Sequence, residues 1–295
     1  MRGLPKLFDL TGRVAVITGG AGLLGAEFCL TLAEAGAAVV IADLNEGGAL
    51  ALAKSLSQGG KRALAVKTDV TSPDSAQNMV AAALQTFGRL DILVNSAALD
   101  PKFDPQSVKE TGERRKGDKG MEASPYPLSP DLYSLTFENY PLALWNQALQ
   151  VNLTGAFLCC QAAAQPMLAQ GGGVIVNLSS IYGLAAPDQR MYQRTGQAAQ
   201  YKPAYYPVTK AGILGLTKYL AAYYAGKNIR VNALSPGGVY NGHDDEFVKA
   251  YSARAVLGRM AEKDEMNGAL LFLVSDASKY MTGANLVVDG GWTTW

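Results

Sequence analysis

The sequence predicts an α/β protein built as a doubly wound parallel sheet, and three observations lead there. Short apolar runs rich in β-branched residues recur at 14–17, 38–42, 63–67, 90–95, 173–178, 230–234 and 286–288, the composition of strands covered on both faces. Stretches of helical periodicity separate most of them, as crossovers between parallel strands require. Several of the runs end in small or acidic residues, at the edge of the sheet where open α/β folds place a ligand.

The first run leads into Gly19, Gly20, Gly22 and Gly25, then into a helix predicted over 23–36 that opens on Leu23 and Leu24. Backbone N–H groups at a helix N-terminus favour a phosphate, and glycines let the chain approach it with no Cβ in the way. The stretch therefore predicts a pyrophosphate cradle in a Rossmann-type sheet, Gly19, Gly22 and Gly25 being spaced G-x-x-G-x-x-G. About 20 residues on, Asp43 closes the second strand with Leu44 behind it. A carboxylate there accepts hydrogen bonds from both ribose hydroxyls of NAD and repels the 2′-phosphate of NADP. No Arg or Lys adjoins it in the sequence, so the expected cofactor is NAD. The alternative is an ordinary strand-end aspartate.

Composition sets the bounds. At 295 residues and 48% hydrophobic, the chain suits one large domain with a sizeable core. The net charge of +1, from 26 basic and 25 acidic residues, makes no electrostatic case for nucleic acid or an anionic membrane. MRGLPKLFDL lacks the apolar core of a signal peptide, and no run approaches a membrane span. Cys29, Cys159 and Cys160 read as buried thiols rather than a disulfide frame or a metal site. These features predict a cytoplasmic protein without metal.

Further helices are predicted over 47–58, 75–87 and 264–274, and a long one over 142–167 that contains Asn152. Asp69 and Val70 close the third strand; Ser96, Ala97 and Ala98 follow Asn95 at the end of the fourth, small enough for a flat ligand to approach. The fifth strand ends in Ser179 and Ser180, and a helix starts near Tyr206. Tyr206 and Lys210 share one face of that helix. A free phenol, with a pKa of about 10, is a poor base at neutral pH, and a nearby ammonium lowers that value. Tyr206 is thus the candidate general acid/base, with a serine of the preceding strand end, Ser179 or Ser180, to hold the substrate oxygen. Tyr223 and Lys227 repeat the spacing without a serine-bearing strand end just ahead, and read as surface.

With these motifs in place the chain resembles the compact short-chain dehydrogenase/reductases over nearly its whole length. The resemblance implies a catalytic set of Asn152, Ser180, Tyr206 and Lys210, with Asn152 ordering a water and Lys210 also binding the nicotinamide ribose. It further implies that Asp69 and Val70 meet the adenine and that Asn95 fixes the strand near the cofactor. Pro236 and Gly237 would flank the nicotinamide, Val239 would offer its backbone to the carboxamide, and Asn241 stands where a threonine is common. The closing TGANLVVDGGW resembles a subunit-packing segment and implies a homotetramer or homodimer.

Besides Asn241, the chain departs from the family pattern in four places. Leu23 replaces the middle glycine of the turn, and Ala98 stands for the last glycine of Asn-Asn-Ala-Gly. An insertion at about 100–140 carries ETGERRKGDKG and is expected to be a lid, an interface arm or disordered. A second, at 187–203, carries Asp188, Gln189, Arg190, Arg194 and Lys202, and its arginines suggest a clamp for a polar, anionic substrate. His243 is expected on an exposed loop. With YGLAAPDQ and SPGGVYNG, the insertions resemble dehydrogenases of bacterial surface-sugar and flagellin modification, implying a sugar, sugar phosphate or nucleotide sugar. The expected function is an NAD-dependent oxidoreductase interconverting a secondary alcohol and a ketone. The rivals are a sugar-nucleotide epimerase or dehydratase that retains NAD, and a non-enzymatic dinucleotide-binding protein.

Overall fold

The computed structural model describes residues 3–100, 103 and 132–295. Seven strands form one sheet: β1 (Val14–Thr18), β2 (Ala38–Asp43), β3 (Ala63–Lys67), β4 (Ile92–Asn95), β5 (Gly173–Leu178), β6 (Ile229–Pro236) and β7 (Asn285–Val288). All neighbouring strands pair in parallel, in the order β3-β2-β1-β4-β5-β6-β7. The helices are α1 (Leu4–Leu7), α2 (Leu23–Glu34), α3 (Glu46–Gln58), α4 (Pro73–Phe87), α5 (Leu142–Leu149), α6 (Gly155–Ala169), α7 (Tyr205–Tyr223), α8 (Asp245–Ser252) and α9 (Asn267–Val274).

The sheet separates two hydrophobic layers. Because successive strand residues point to opposite faces, Val14, Val16, Val40 and Leu93 pack toward α4, α6 and α7. Ala15, Ile17, Val39 and Ile41 pack toward α2, α3 and α9. Full burial of each Val or Ile contributes about 1.5–3 kcal/mol, which explains why these strands read as unbroken apolar runs. Capping fixes where the helices begin: Asn45 Oδ1 accepts from Gly48 N–H at 2.9 Å, and Ser72 Oγ accepts from Ser75 N–H at 3.2 Å. α2 differs, since its N-cap is Gly22 and no side chain caps it.

The chain order reverses between β1 and β4, which opens a crevice at the carboxyl ends of the strands. The helix expected over 142–167 is interrupted by a π-helical turn at Gln150–Thr154 that separates α5 from α6 and contains Asn152. A wide turn of this kind marks functional helices often, and apolar periodicity alone does not register it. Residues 264–266 stay outside α9, which starts at Asn267.

The 187–203 insertion is folded. It holds a 3-10 turn at Gln189–Tyr192 with Met191 and Tyr192 buried. The Gln189 side chain ties its far end, accepting from Lys202 N–H at 2.8 Å and donating to Lys202 O at 3.2 Å. Of the 100–140 insertion, 101–102 and 104–131 lie outside the described residues, and the lid, arm and disorder alternatives fall there. Among the described residues, no helix is long and apolar enough to cross a membrane, and no group of His, Cys, Asp or Glu is placed to hold a metal ion. The three cysteines are buried thiols.

Candidate active site

A cleft of about 580 Å³ follows the carboxyl edge of the sheet. One half is lined by Gly19, Gly22, Leu23, Leu24, Gly25, Asp43, Leu44, Asp69, Val70 and Ala97; Ser180, Tyr206, Lys210, Pro236, Gly237 and Val239 line its centre. Asn95 and Asn152 lie behind the lining and support it. Asn95 Nδ2 donates to Asn177 Oδ1 at 2.8 Å, tying the ends of β4 and β5. Asn152 Oδ1 accepts from Leu99 N–H at 2.6 Å, while its Nδ2 donates to Leu99 O at 3.2 Å and Thr209 Oγ1 at 3.3 Å.

The glycine half fits a dinucleotide on the chain's own geometry. Gly19, at φ +65°, passes so close under β4 that a Cβ would stand 2.8 Å from Ala97 Cα. A Cβ on Gly25 would collide with the Gly19 carbonyl, so the turn closes onto α2 without side chains. That leaves the uncapped N-terminus of α2 facing the cleft, where its dipole favours a phosphate. Asp43 Oδ2 accepts from Ala21 N–H and Oδ1 from Asn45 N–H, both at 2.9 Å. A carboxylate has about four acceptor sites, so two remain for a ribose diol. Lys67 is the β3 register partner of Asp43, and its ammonium reaches Glu46 at 3.7 Å.

The two serines divide their work. Ser179 Oγ donates to Lys210 O at 2.8 Å and anchors α7. Ser180 Oγ accepts from Tyr182 N–H at 3.1 Å and, with Tyr206, lines the cleft. Burial pushes the Tyr206 phenol well above its ordinary pKa; Asp100 adds to the rise, while Lys202 and Ser180 oppose it. Lys202, which the sequence did not single out as acting on Tyr206, thus joins Lys210 beside the ring. Lys210 Nζ donates to Leu178 O at 2.9 Å and stands 5.7 Å from the Tyr206 ring centroid, whereas Lys202 Nζ stands 4.3 Å from it. Burial pulls the Lys210 ammonium down to about 8. Tyr223 is 66% exposed, in keeping with a surface role.

The other half of the cleft has an aromatic wall. Phe103, Tyr133, Tyr182, Tyr192, Phe247 and Tyr251 line it, brought together from five separate parts of the chain. Phe103 packs against Tyr133 at 5.1 Å, Tyr192 at 5.2 Å and Phe247 at 5.7 Å, centroid to centroid. The Tyr182 and Tyr192 hydroxyls meet at 3.0 Å. Sequence reasoning missed this wall, since its members share no spacing.

The proposed arginine clamp is not formed. Arg190 is fully exposed on its loop and paired with Asp188 at 2.7 Å. The Arg194 guanidinium is engaged by both Asp244 oxygens, at 2.7 and 2.9 Å, and lies over the Phe103 ring at 5.0 Å. Neither arginine lines the cleft, because each finds a carboxylate close by. His243, expected on an exposed loop, is half-buried, lines the cleft and stacks on Phe247 at 5.0 Å.

Known proteins share this architecture. Residues 129–293 match the family described as enoyl-(acyl carrier protein) reductase, and residues 13–116 that described as short chain dehydrogenase. The chain is 36% identical to D-threitol dehydrogenase of Mycolicibacterium smegmatis, over 97% of this chain and 95% of that one. It is 37% identical to cis-4-hydroxycyclohexanecarboxylate dehydrogenase of Sinomonas cyclohexanicum, over 95% and 96%. The crystal structure of a gluconate 5-dehydrogenase from Burkholderia cenocepacia, in complex with NADP and tartrate, superposes with a TM-score of 0.79 at 30% identity, covering 99% of each chain. The parallel sheet, the glycine turn and the Ser180–Tyr206–Lys210 cluster thus belong to a short-chain dehydrogenase/reductase, an oxidoreductase of alcohol and ketone substrates.

Proposed function

We propose that the protein is an NAD-dependent dehydrogenase that interconverts a secondary alcohol and a ketone on a small polyol or alicyclic substrate. The observation that carries this is the position of Tyr206 and Ser180 at the junction of the glycine half and the aromatic half of one cleft. The nicotinamide supplies the hydride acceptor when bound. Ser180 Oγ holds the substrate oxygen, and Tyr206 Oη takes its proton in oxidation and returns it in reduction. Lys210 holds the nicotinamide ribose, and Asn152 fixes the segment at Leu99 that borders the site. The acceptor sites left on Asp43 support NAD over NADP.

The aromatic wall and the two paired arginines favour a compact ring or polyol over a sugar phosphate or nucleotide sugar. The relatives that act on threitol and on hydroxycyclohexanecarboxylate support the same choice. We further propose a cytoplasmic assembly of two or four copies, which the exposed Phe157, Tyr219 and Tyr223 on α6 and α7 support.

The test is NAD reduction against a panel: threitol and other polyols, cis-4-hydroxycyclohexanecarboxylate, simple secondary alcohols, sugar phosphates and nucleotide sugars. Turnover of the polyols or alicyclic alcohols is expected. Turnover confined to phosphorylated or nucleotide sugars would overturn the substrate class. Tightly held NAD with no net redox change would turn the function toward an epimerase or dehydratase.

A further inference from the structure

The 187–203 insertion ends by placing Lys202 inside the active site. Its side chain is 7% exposed and its ammonium is ion-paired with Asp100. Nζ donates to Tyr133 Oη at 3.0 Å and stands 4.3 Å from the centroid of the Tyr206 ring, closer than Lys210 at 5.7 Å. The backbone of Lys202 is clamped by Gln189, and Tyr201 N–H donates to Tyr133 O at 2.6 Å, so the placement is built in. Burial works against the ammonium, but Asp100 and the surrounding tyrosines outweigh it and keep Lys202 charged.

We propose that Lys202, with Asp100 as its counter-ion, is a positioning residue that tunes the acid/base work of Tyr206 from the face of the catalytic ring. The proposal rests on the functional reading of Tyr206 given above. A phenolate spreads its charge over the ring, so a cation against the ring face favours the ionised form. Asp100 acts in the opposite sense. The groups facing Tyr206 are Ser180, Tyr182, Lys210, Lys202, Asp100 and Tyr133. Of these, only Lys202 and Asp100 form an ion pair, so each can be removed with a known change of sign. Without Lys202 the Asp100 charge is left unneutralised and the phenolate is disfavoured twice over. Without Asp100 the ammonium acts alone and the phenolate is favoured. The insertion thus brings a second cation to a site whose own helix already carries one.

The test compares wild type, Lys202→Met, Lys202→Arg, Asp100→Asn and Lys202→Met/Asp100→Asn from about pH 6 to pH 11. Two readouts are taken. One is kcat/KM for oxidation of a panel alcohol; the other is tyrosinate absorbance without substrate, with Tyr206→Phe as the blank that isolates Tyr206. The expected result is a rising limb moved up by about one pH unit or more in Lys202→Met and down in Asp100→Asn. The double variant should return toward wild type, and Lys202→Arg, which keeps the charge, should stay near it. A uniform loss in Lys202→Met at every pH, with the limb and the Tyr206 titration unmoved in all variants, would overturn the proposal. Should Lys202→Met not fold, Asp100→Asn and Lys202→Arg decide by the same signs. If Tyr206→Phe still oxidises alcohol, the functional reading fails instead, and the absorbance titration still decides the effect of Lys202 on Tyr206.

Discussion

Lys210→Met removes an ammonium held in a site that opposes its charge. Burial lowers the Lys210 pKa from 10.5 to about 8. Between those values the unfolded chain binds a proton that the native state has released, so wild-type stability rises with pH through the window. It is highest above the unfolded value and is lost as pH falls through 8. From about pH 7 to pH 10 the group should add roughly 2–3 kcal/mol to wild-type stability. Methionine keeps most of the side-chain volume and carries no charge, so the variant lacks that increment. The hydrogen bond from Nζ to Leu178 O is lost at both pH values and cancels in the comparison. Urea unfolding of wild type and variant at the two pH values measures the difference of differences. A value within about 0.5 kcal/mol of zero would refute the depressed pKa and with it the burial of a charged Lys210.

Three other perturbations have defined outcomes. Asp43→Ala removes the acceptors for a ribose diol; two hydrogen bonds of about 1–1.5 kcal/mol each predict a Kd for NAD raised roughly 30- to 150-fold, with the Kd for NADP little changed, as read by fluorescence titration. Gly25→Ala should leave a folded protein by circular dichroism and weaken NAD binding at least about tenfold, because the new Cβ meets the Gly19 carbonyl. Trp292→Ala empties a fully buried site where the indole stacks on Tyr251 at 6.2 Å and lies under Arg254 at 4.4 Å; a loss of about 3–5 kcal/mol is expected in denaturant unfolding.

The sheet was legible in the sequence because its strands are covered on both faces. A run such as Val14–Thr18, buried at every position, has no polar alternation to blur it. The glycine half of the cleft was legible for a related reason: Gly19, Gly22 and Gly25 bring the chain close through backbone geometry, and Asp43 follows at a short spacing. Ser180 could be chosen over Ser179 because the family's serine matches the second of the pair, and the structure shows the first holding α7. The aromatic wall was hidden, since Phe103, Tyr133, Tyr192 and Phe247 meet only through the tertiary fold. Arg190 and Arg194 misled for the same reason: charge in a loop says nothing about a partner, and Asp244 lies 50 residues beyond Arg194. Lys202 was one of several charges in that loop, and only its burial against Asp100 and Tyr206 sets it apart. α8 was missed because GHDDEF reads as polar loop; its start depends on Asp244 Oδ1 accepting from Phe247 N–H at 3.1 Å.

The account turns on Tyr206 as the group that exchanges a proton with the substrate oxygen. Its direct test is the rate of NAD reduction by Tyr206→Phe with an alcohol that the wild type oxidises, alongside NAD affinity in the same samples. The ring and its packing are kept, and only the hydroxyl is removed. A fall in kcat of at least about 100-fold with NAD affinity unchanged is predicted. A variant that turns over at the wild-type rate would contradict the account and place the acid/base elsewhere in the cleft.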